Sequence, residues 1–269
     1  MTRLLSLSGL AAETLNKTAR LIVPSSPFGV FFVVMSGVLV WAAGALPDGG
    51  TGFVLFVALA FGALFAHSLF SAAMYRAVLP AIGGMLSGAW KLTLAWLLVV
   101  VVASIAATIV VLFFSLIGAS LGVASGEAGQ EITDMTAEMR AGGTFWPLFA
   151  LFLATLVGLF WFAVRLMLFA AASVLRGQVH VFRTWYWTKG QVRVLAPLMI
   201  GFVILPILGL SLIARVVSAA ALGVPETPLE TGVSVALVTL ILLPSAWLGH
   251  AFAASVFERL ASDAPVDES

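Results

Sequence analysis

Six stretches of the chain, each 21 to 35 residues long, carry no charged side chain, and together they fill most of its 269 residues. They lie between Arg20 and Asp48, Asp48 and Arg76, Lys91 and Glu127, Arg140 and Arg165, Arg193 and Arg215, and Glu230 and Glu258. A hydrocarbon core about 30 Å thick needs roughly 20 apolar residues of helix to cross it, because backbone polar groups in lipid bond only to one another. The pattern predicts an all-α, polytopic membrane protein with six spans at about 28–46, 53–75, 92–118, 146–165, 194–214 and 233–257. Residues 1–26 read as a cytoplasmic amphipathic arm, 27–260 as the membrane domain, and 261–269 as a small acidic tail expected to be disordered.

Composition removes several function classes. Hydrophobic residues make up 62% of the chain and charged ones 9%, against roughly 45–50% and 25% in a soluble domain. A net charge of +1 gives no reason to expect a nucleic-acid partner. Cysteine is absent, which excludes disulfides, thiolate catalysis and Cys-ligated metal. With three histidines in all, a His-rich metal site is not expected, and neither is a cofactor. Arginine outnumbers lysine ten to three, a bias that fits a GC-rich bacterial genome.

Arg3 precedes an apolar stretch, Leu4 to Ala12, that is short for a cleavable signal. Polar Glu13, Asn16, Lys17 and Arg20 follow before the first long apolar run. Leu4, Leu7, Leu10, Ala11 and Leu15 recur at helical spacing, so this arm reads as an amphipathic segment on the membrane surface.

Charge sets the expected topology. The arm, the 2–3 loop, the 4–5 loop and the residue after span 6 carry Arg3, Lys17, Arg20, Arg76, Lys91, Arg176, Arg183, Lys189, Arg193 and Arg259. The opposite loops carry only Arg140 and Arg215, and the positive-inside rule then puts both termini in the cytoplasm of a bacterial inner membrane. Trp41 and Trp146 fall at outer boundaries, and Tyr75, Trp90, Trp185, Tyr186 and Trp187 at inner ones, where amphipathic rings favour the headgroup level.

The even spans end alike. His67-Ser-Leu-Phe-Ser-Ala-Ala-Met-Tyr-Arg76 compares with His250-Ala-Phe-Ala-Ala-Ser-Val-Phe-Glu-Arg259 and with Leu168-Phe-Ala-Ala-Ala-Ser-Val-Leu-Arg176. Three helical hairpins, 10–76, 78–176 and 178–259, each entered by a polar lead-in, would account for this. The third lead-in mixes Arg176, His180, Arg183, Lys189 and Arg193 with Val179, Val181, Phe182, Trp185, Tyr186, Trp187 and Val192. Cations at the headgroups and aromatics at the acyl boundary suit an anionic-lipid contact by Arg176, Arg183, Trp185, Trp187, Lys189 and Arg193. The same cluster would also serve as a plain topology anchor.

The order running from Arg165 through the Ala-rich stretch and Arg176 to Arg183-Thr-Trp-Tyr-Trp-Thr-Lys-Gly190 resembles the six-helix membrane domain found beside glycerophosphodiester phosphodiesterases and in related stand-alone bacterial proteins. Arg165, Trp187, Thr188, Lys189 and Gly190 carry the likeness, which covers about 160–200. It implies a six-span inner-membrane module. The phosphodiesterase barrel and its acidic metal ligands have no counterpart in this chain, so that activity is not implied.

Ionisable residues within a bilayer are costly and by default functional. His67 and His250 each lie nine residues before a closing arginine, and Arg165 aligns within a turn of that depth, so the repeat would place all three at one polar level. A phosphate headgroup or a proton could occupy such a level. The competing reading makes the histidines partners of backbone carbonyls and lets Arg165 snorkel to the surface.

Other motifs lead to packing. Gly118, Gly122 and Gly126 permit close helix approach, and Pro197, Pro206 and Pro244 are expected to kink their helices. Ser120 and His250 fall at opposite depths, which rejects them as a nucleophile–base pair. Glu127, Glu131, Asp134 and Glu138 would lie on one face of a short acidic helix in the outer 3–4 loop. No phosphate loop, dinucleotide fingerprint or helix-borne metal pair occurs.

The leading expectation is a non-enzymatic membrane protein that binds lipid, an anionic phospholipid above all, or a protein partner or second copy of itself. A small transporter or channel using His67, Arg165 and His250 is the alternative, and an unrecognised lipid-modifying enzyme the third.

Overall fold

A computed structural model describes residues 7–47, 49–120, 140–143 and 145–261. The arm's first residues, Asp48, the acidic stretch Glu127–Glu138 with Gly122 and Gly126, and the tail after 261 lie outside the described residues. All described regular structure is helical: α1 (Leu7–Ala45), α2 (Gly50–Val78), α3 (Met85–Ser120), α4 (Phe145–Leu166), α5 (Phe169–Leu175), α6 (Thr184–Trp187), α7 (Val192–Met199), a π-helical turn (Ile200–Ile204), α8 (Leu205–Leu222) and α9 (Pro228–Ala261). Six helical runs are long and apolar enough to cross a membrane: Ser8–Ala45, Gly50–Val78, Met85–Leu116, Phe145–Leu175, Val192–Leu222 and Pro228–Leu260.

These runs overshoot the charge-free stretches. The arm and the first span form one helix with no break at residue 26, even though Pro24 and Pro27 lie inside it. Ser25 and Ser26 return their hydroxyls to the carbonyls of Leu21 and Ile22, which satisfies both hydroxyls within the helix. Leu10, Thr14, Lys17, Leu21, Ser25, Gly29, Val33 and Gly37 form one buried stripe, while Leu15 points outward. The apolar face expected to lie on the membrane is therefore replaced by a longer one facing protein.

That protein is α9. The two helices run antiparallel along almost their whole length, through Gly44 beside Pro228, Gly37 beside Gly232 and Ala236, Gly29 beside Leu243, and Trp247 donating its indole N–H to Ser25 Oγ at 3.0 Å. Two glycines come into close contact: a Cβ on either Gly37 or Gly232 would sit 2.8 Å from the other's carbonyl oxygen. Lipid offers no hydrophobic drive for helix association, so backbones that can approach this closely gain dispersion contact instead.

The described residues divide into two units, one formed by those up to Ala95 together with those from Val164 onward, the other by Trp96–Ala163. In the first, α2 folds back along α1, with Phe70 against Gly29 and Met35 against Gly62. Leu21, Val33, Phe70, Met74, Leu243 and Ala251 form its central apolar cluster. The three segments that matched in sequence are each buried throughout, at 70–75, 168–175 and 251–256. Small side chains let α5 pack on both α2 and α9. The helix is interrupted at Met167 and Leu168, and Gly177, two residues past the end of α5, has a φ of +64° that suits a residue without a Cβ. Ile82 donates its N–H to Leu175 O at 2.9 Å, and Lys91 Nζ donates to the Gly177 carbonyl, which docks the 2–3 loop on that helix end.

The second unit contains the remainder of α3 and most of α4. Exposed Val101, Ile105, Leu112, Phe152 and Val157 leave both helices apolar on their outer surfaces, as suits helices surrounded by acyl chains. Arg140 caps this unit by placing its guanidinium 4.9 Å from the ring centre of Phe145.

Of the prolines expected to distort helices, Pro197 and Pro206 flank the π-helical turn at Ile200–Ile204. Pro244 sits inside an unbroken helix, where the Ser245 hydroxyl bonds the Leu242 carbonyl at 2.7 Å.

Candidate functional site

His67 and His250 both face protein. Both rings are half-buried. The His67 ring lies 5.1 Å from that of Phe32, Phe32 stacks on Phe70, and Phe70 lies 6.4 Å from His250, whose other neighbour is Tyr75 at 5.1 Å. The two imidazoles thus flank one aromatic cluster among α1, α2 and α9.

His250 is held at both nitrogens. Nδ1 lies 2.8 Å from the Ala246 carbonyl, which can only accept, so the proton is on Nδ1. In the neutral ring Nε2 then accepts the Ser71 hydroxyl at 2.9 Å. A serine, a histidine and an orienting acceptor form the outline of an activated nucleophile. The setting does not complete it. Ser71 is 1% exposed and lies inside α2, where its amide belongs to the helical ladder and is not offered to a developing oxyanion. The pair instead fastens α9 to α2.

Arg165 is tied into the segment after α5. Its guanidinium lies 4.6 Å over the Trp185 ring, and its carbonyl accepts the Thr188 hydroxyl at 3.1 Å. A buried arginine keeps its charge compatible with this site through the aromatic face.

Residues 178–195 have two faces. Val181, Thr184, Thr188, Gln191 and Leu195 recur at spacings of three and four and are all buried. Thr184 returns its hydroxyl to the Val181 carbonyl, and Thr188 shares its hydroxyl proton between the Arg165 and Thr184 carbonyls. On the other face Phe182, Arg183, Tyr186, Lys189 and Arg193 are exposed, Tyr186 by 75%. Cations and aromatic rings are therefore both turned outward along this segment.

Of the residues expected to touch headgroups, Arg183, Lys189 and Arg193 are exposed. Arg176, Trp185 and Trp187 are half-buried. Arg176 lies 4.6 Å over Trp187, whose ring centre is also 6.0 Å from that of Phe257, and Trp185 carries Arg165. Phe182 and Tyr186 take the exposed aromatic places; their spacing relative to Lys189 was the available signal. His180, 5% exposed, lies 6.3 Å from Trp187 and donates its backbone N–H to Ser173 Oγ. Burial and the charges of Arg176 and Arg183 push its imidazole below the ordinary value.

A further polar group was not foreseen as a unit. Lys17 donates to Glu13 Oε1 at 2.9 Å and to Glu258 Oε2, while Arg259 donates to Glu13 Oε2 through Nε at 2.8 Å and pairs with it through Nη2 at 2.7 Å. Two carboxylates and two cations close the start of α1 onto the end of α9.

No three His, Asp or Glu side chains among the described residues converge to hold a metal. A cavity of about 320 Å³ lies at the α1–α2 turn, lined by Ala42, Leu46, Pro47, Phe53 and Phe56. It is about four turns of α2 from His67.

The chain is a helical, multi-pass integral membrane protein with six membrane-spanning helices. No family model, curated protein or solved structure matches it.

Proposed function

We propose that the protein is a non-enzymatic module of a bacterial inner membrane that binds anionic phospholipid at its cytoplasmic face, with Arg183, Lys189 and Arg193 contacting headgroup phosphate. One observation carries this reading: these three cations are exposed along the segment, as are Phe182 and Tyr186, while Val181, Thr184, Thr188 and Gln191 between them are buried. Phosphate oxygens accept the N–H groups, and the two rings sit at the acyl boundary. The distribution of positive charge supports a cytoplasmic orientation of this surface. The likeness of 160–200 to the membrane domain beside phosphodiesterases agrees with a six-span inner-membrane module. Aromatic rings around His67 and His250 favour packing over conduction at that level.

Native mass spectrometry of protein released gently from membrane tests the proposal. Wild type should retain phosphatidylglycerol or cardiolipin, and Arg183→Ala/Lys189→Ala/Arg193→Ala should lose it. Equal retention by both, or none by either, rejects lipid recognition by this surface.

A further inference from the structure

The four-residue ionic cluster and the exposed cationic surface are joined through Phe257. Glu258 and Arg259, the next two residues, are the α9 members of the cluster. Phe257 packs edge-on against Trp187 at 6.0 Å with an interplanar angle of 77°. Arg176 lies over both rings, at 4.6 Å from Trp187 and 6.0 Å from Phe257. Trp187 belongs to the same single-turn helix as Tyr186, and Lys189 follows two residues later. A contact path thus leads from the start of α1, through the last turns of α9, to the back of the outward surface.

The cluster is built to hold that path. Glu13 accepts from both cations and Lys17 donates to both carboxylates, so removing any one charge leaves another without its full complement. Lys17 is 9% exposed, which makes loss of its partners costly. The packing of α1 on α9 near Gly37 and Gly232 lies several turns away and does not need these charges.

We propose that Glu13, Lys17, Glu258 and Arg259 are positioning residues for the surface bearing Arg183, Tyr186 and Lys189: the cluster fixes the end of α9, Phe257 then backs Trp187, and Trp187 sets the lie of the outward face. The consequence for lipid rests on the function proposed above; the consequence for position does not.

The absence of cysteine allows a single nitroxide label on the full chain at Tyr186→Cys. Its mobility, measured by electron paramagnetic resonance in detergent without added phospholipid, reads the position of the surface alone. Glu13→Gln and Arg259→Gln should each add a fast component to the spectrum. Gly37→Ala, which weakens the same helix pair elsewhere, should leave it slow. In unlabelled protein with Tyr186 intact, Glu13→Gln should lower retained phosphatidylglycerol several-fold by native mass spectrometry.

Unchanged mobility in both neutralised variants overturns the positioning role, and so does an equal rise in Gly37→Ala. Mobility that rises while phosphatidylglycerol retention stays at the wild-type level keeps the positioning role and removes the lipid reading. Retention that depends on Arg183 and Lys189 while mobility ignores Glu13 removes the positioning role and keeps the lipid reading.

Discussion

The imidazole of His250 and the hydroxyl of Ser71, 179 residues apart in the chain, meet at 2.9 Å, with the ring oriented by the Ala246 carbonyl at 2.8 Å. This bond fastens the last helix to the second, with the Ser71 hydroxyl buried. Hydrogen bonds between membrane helices contribute about 0.6 kcal/mol on average and up to about 1.7 kcal/mol. Ser71→Ala should therefore lower stability by about 1 kcal/mol in a denaturant titration in mixed micelles. His250→Ala should cost more, since contacts with Phe70 and Tyr75 go as well. Identical unfolding curves for wild type and Ser71→Ala would show that the bond adds nothing.

The glycine crossing of α1 and α9 makes a second prediction. Gly37→Ala and Gly232→Ala each force a methyl group to within 2.8 Å of a backbone oxygen. Overpacking of this kind costs about 1–3 kcal/mol. Gly209→Ala, with open space around the new carbon, should stay within about 0.5 kcal/mol of wild type. Thermal unfolding in detergent distinguishes them, and equal behaviour at all three positions would contradict the close approach.

Arg176 and Trp187 should be energetically coupled. The guanidinium lies 4.6 Å over the indole, a geometry worth about 0.5–2 kcal/mol. A double-mutant cycle with Arg176→Gln and Trp187→Leu isolates that term. Strict additivity would mean that the stack contributes no energy.

His180 gives the segment a pH response. Its folded-state value lies below that of the unfolded chain, so the unfolded chain takes up the proton first as pH falls. Stability from this group is complete above its ordinary value of about 6.5 and declines progressively as pH drops below it. His180→Gln should flatten that part of the profile when unfolding midpoints are measured from about pH 8 to pH 5. The other two histidines are common to both proteins, so the difference belongs to His180. Parallel profiles for the two proteins would show that His180 has no such effect.

The six membrane-spanning helices were legible because the requirement is local: a backbone in hydrocarbon satisfies itself only within a long apolar helix, and charge-free stretches of 21 residues or more report that directly. The matching small-residue runs at 70–75, 168–175 and 251–256 were legible for a related reason, as small side chains mark where helices approach. Burial divides the cationic lead-in: Arg183, Lys189 and Arg193 are outward, whereas Arg176, Trp185 and Trp187 pair among themselves and with Arg165 and Phe257. Composition does not distinguish a tryptophan at a lipid interface from one under an arginine.

What the sequence determined by itself was thus the material and the count: all-helical, six membrane-spanning runs, with cations gathered at particular loops. What only the tertiary structure decided was partnership. Glu13 and Lys17, read as polar signals of a surface arm, are ionic partners of Glu258 and Arg259, and His250 bonds Ser71 across the bundle. Crossing a membrane depends on the side chains of one helix, whereas a charge or a hydroxyl is satisfied by whichever helix the fold brings beside it.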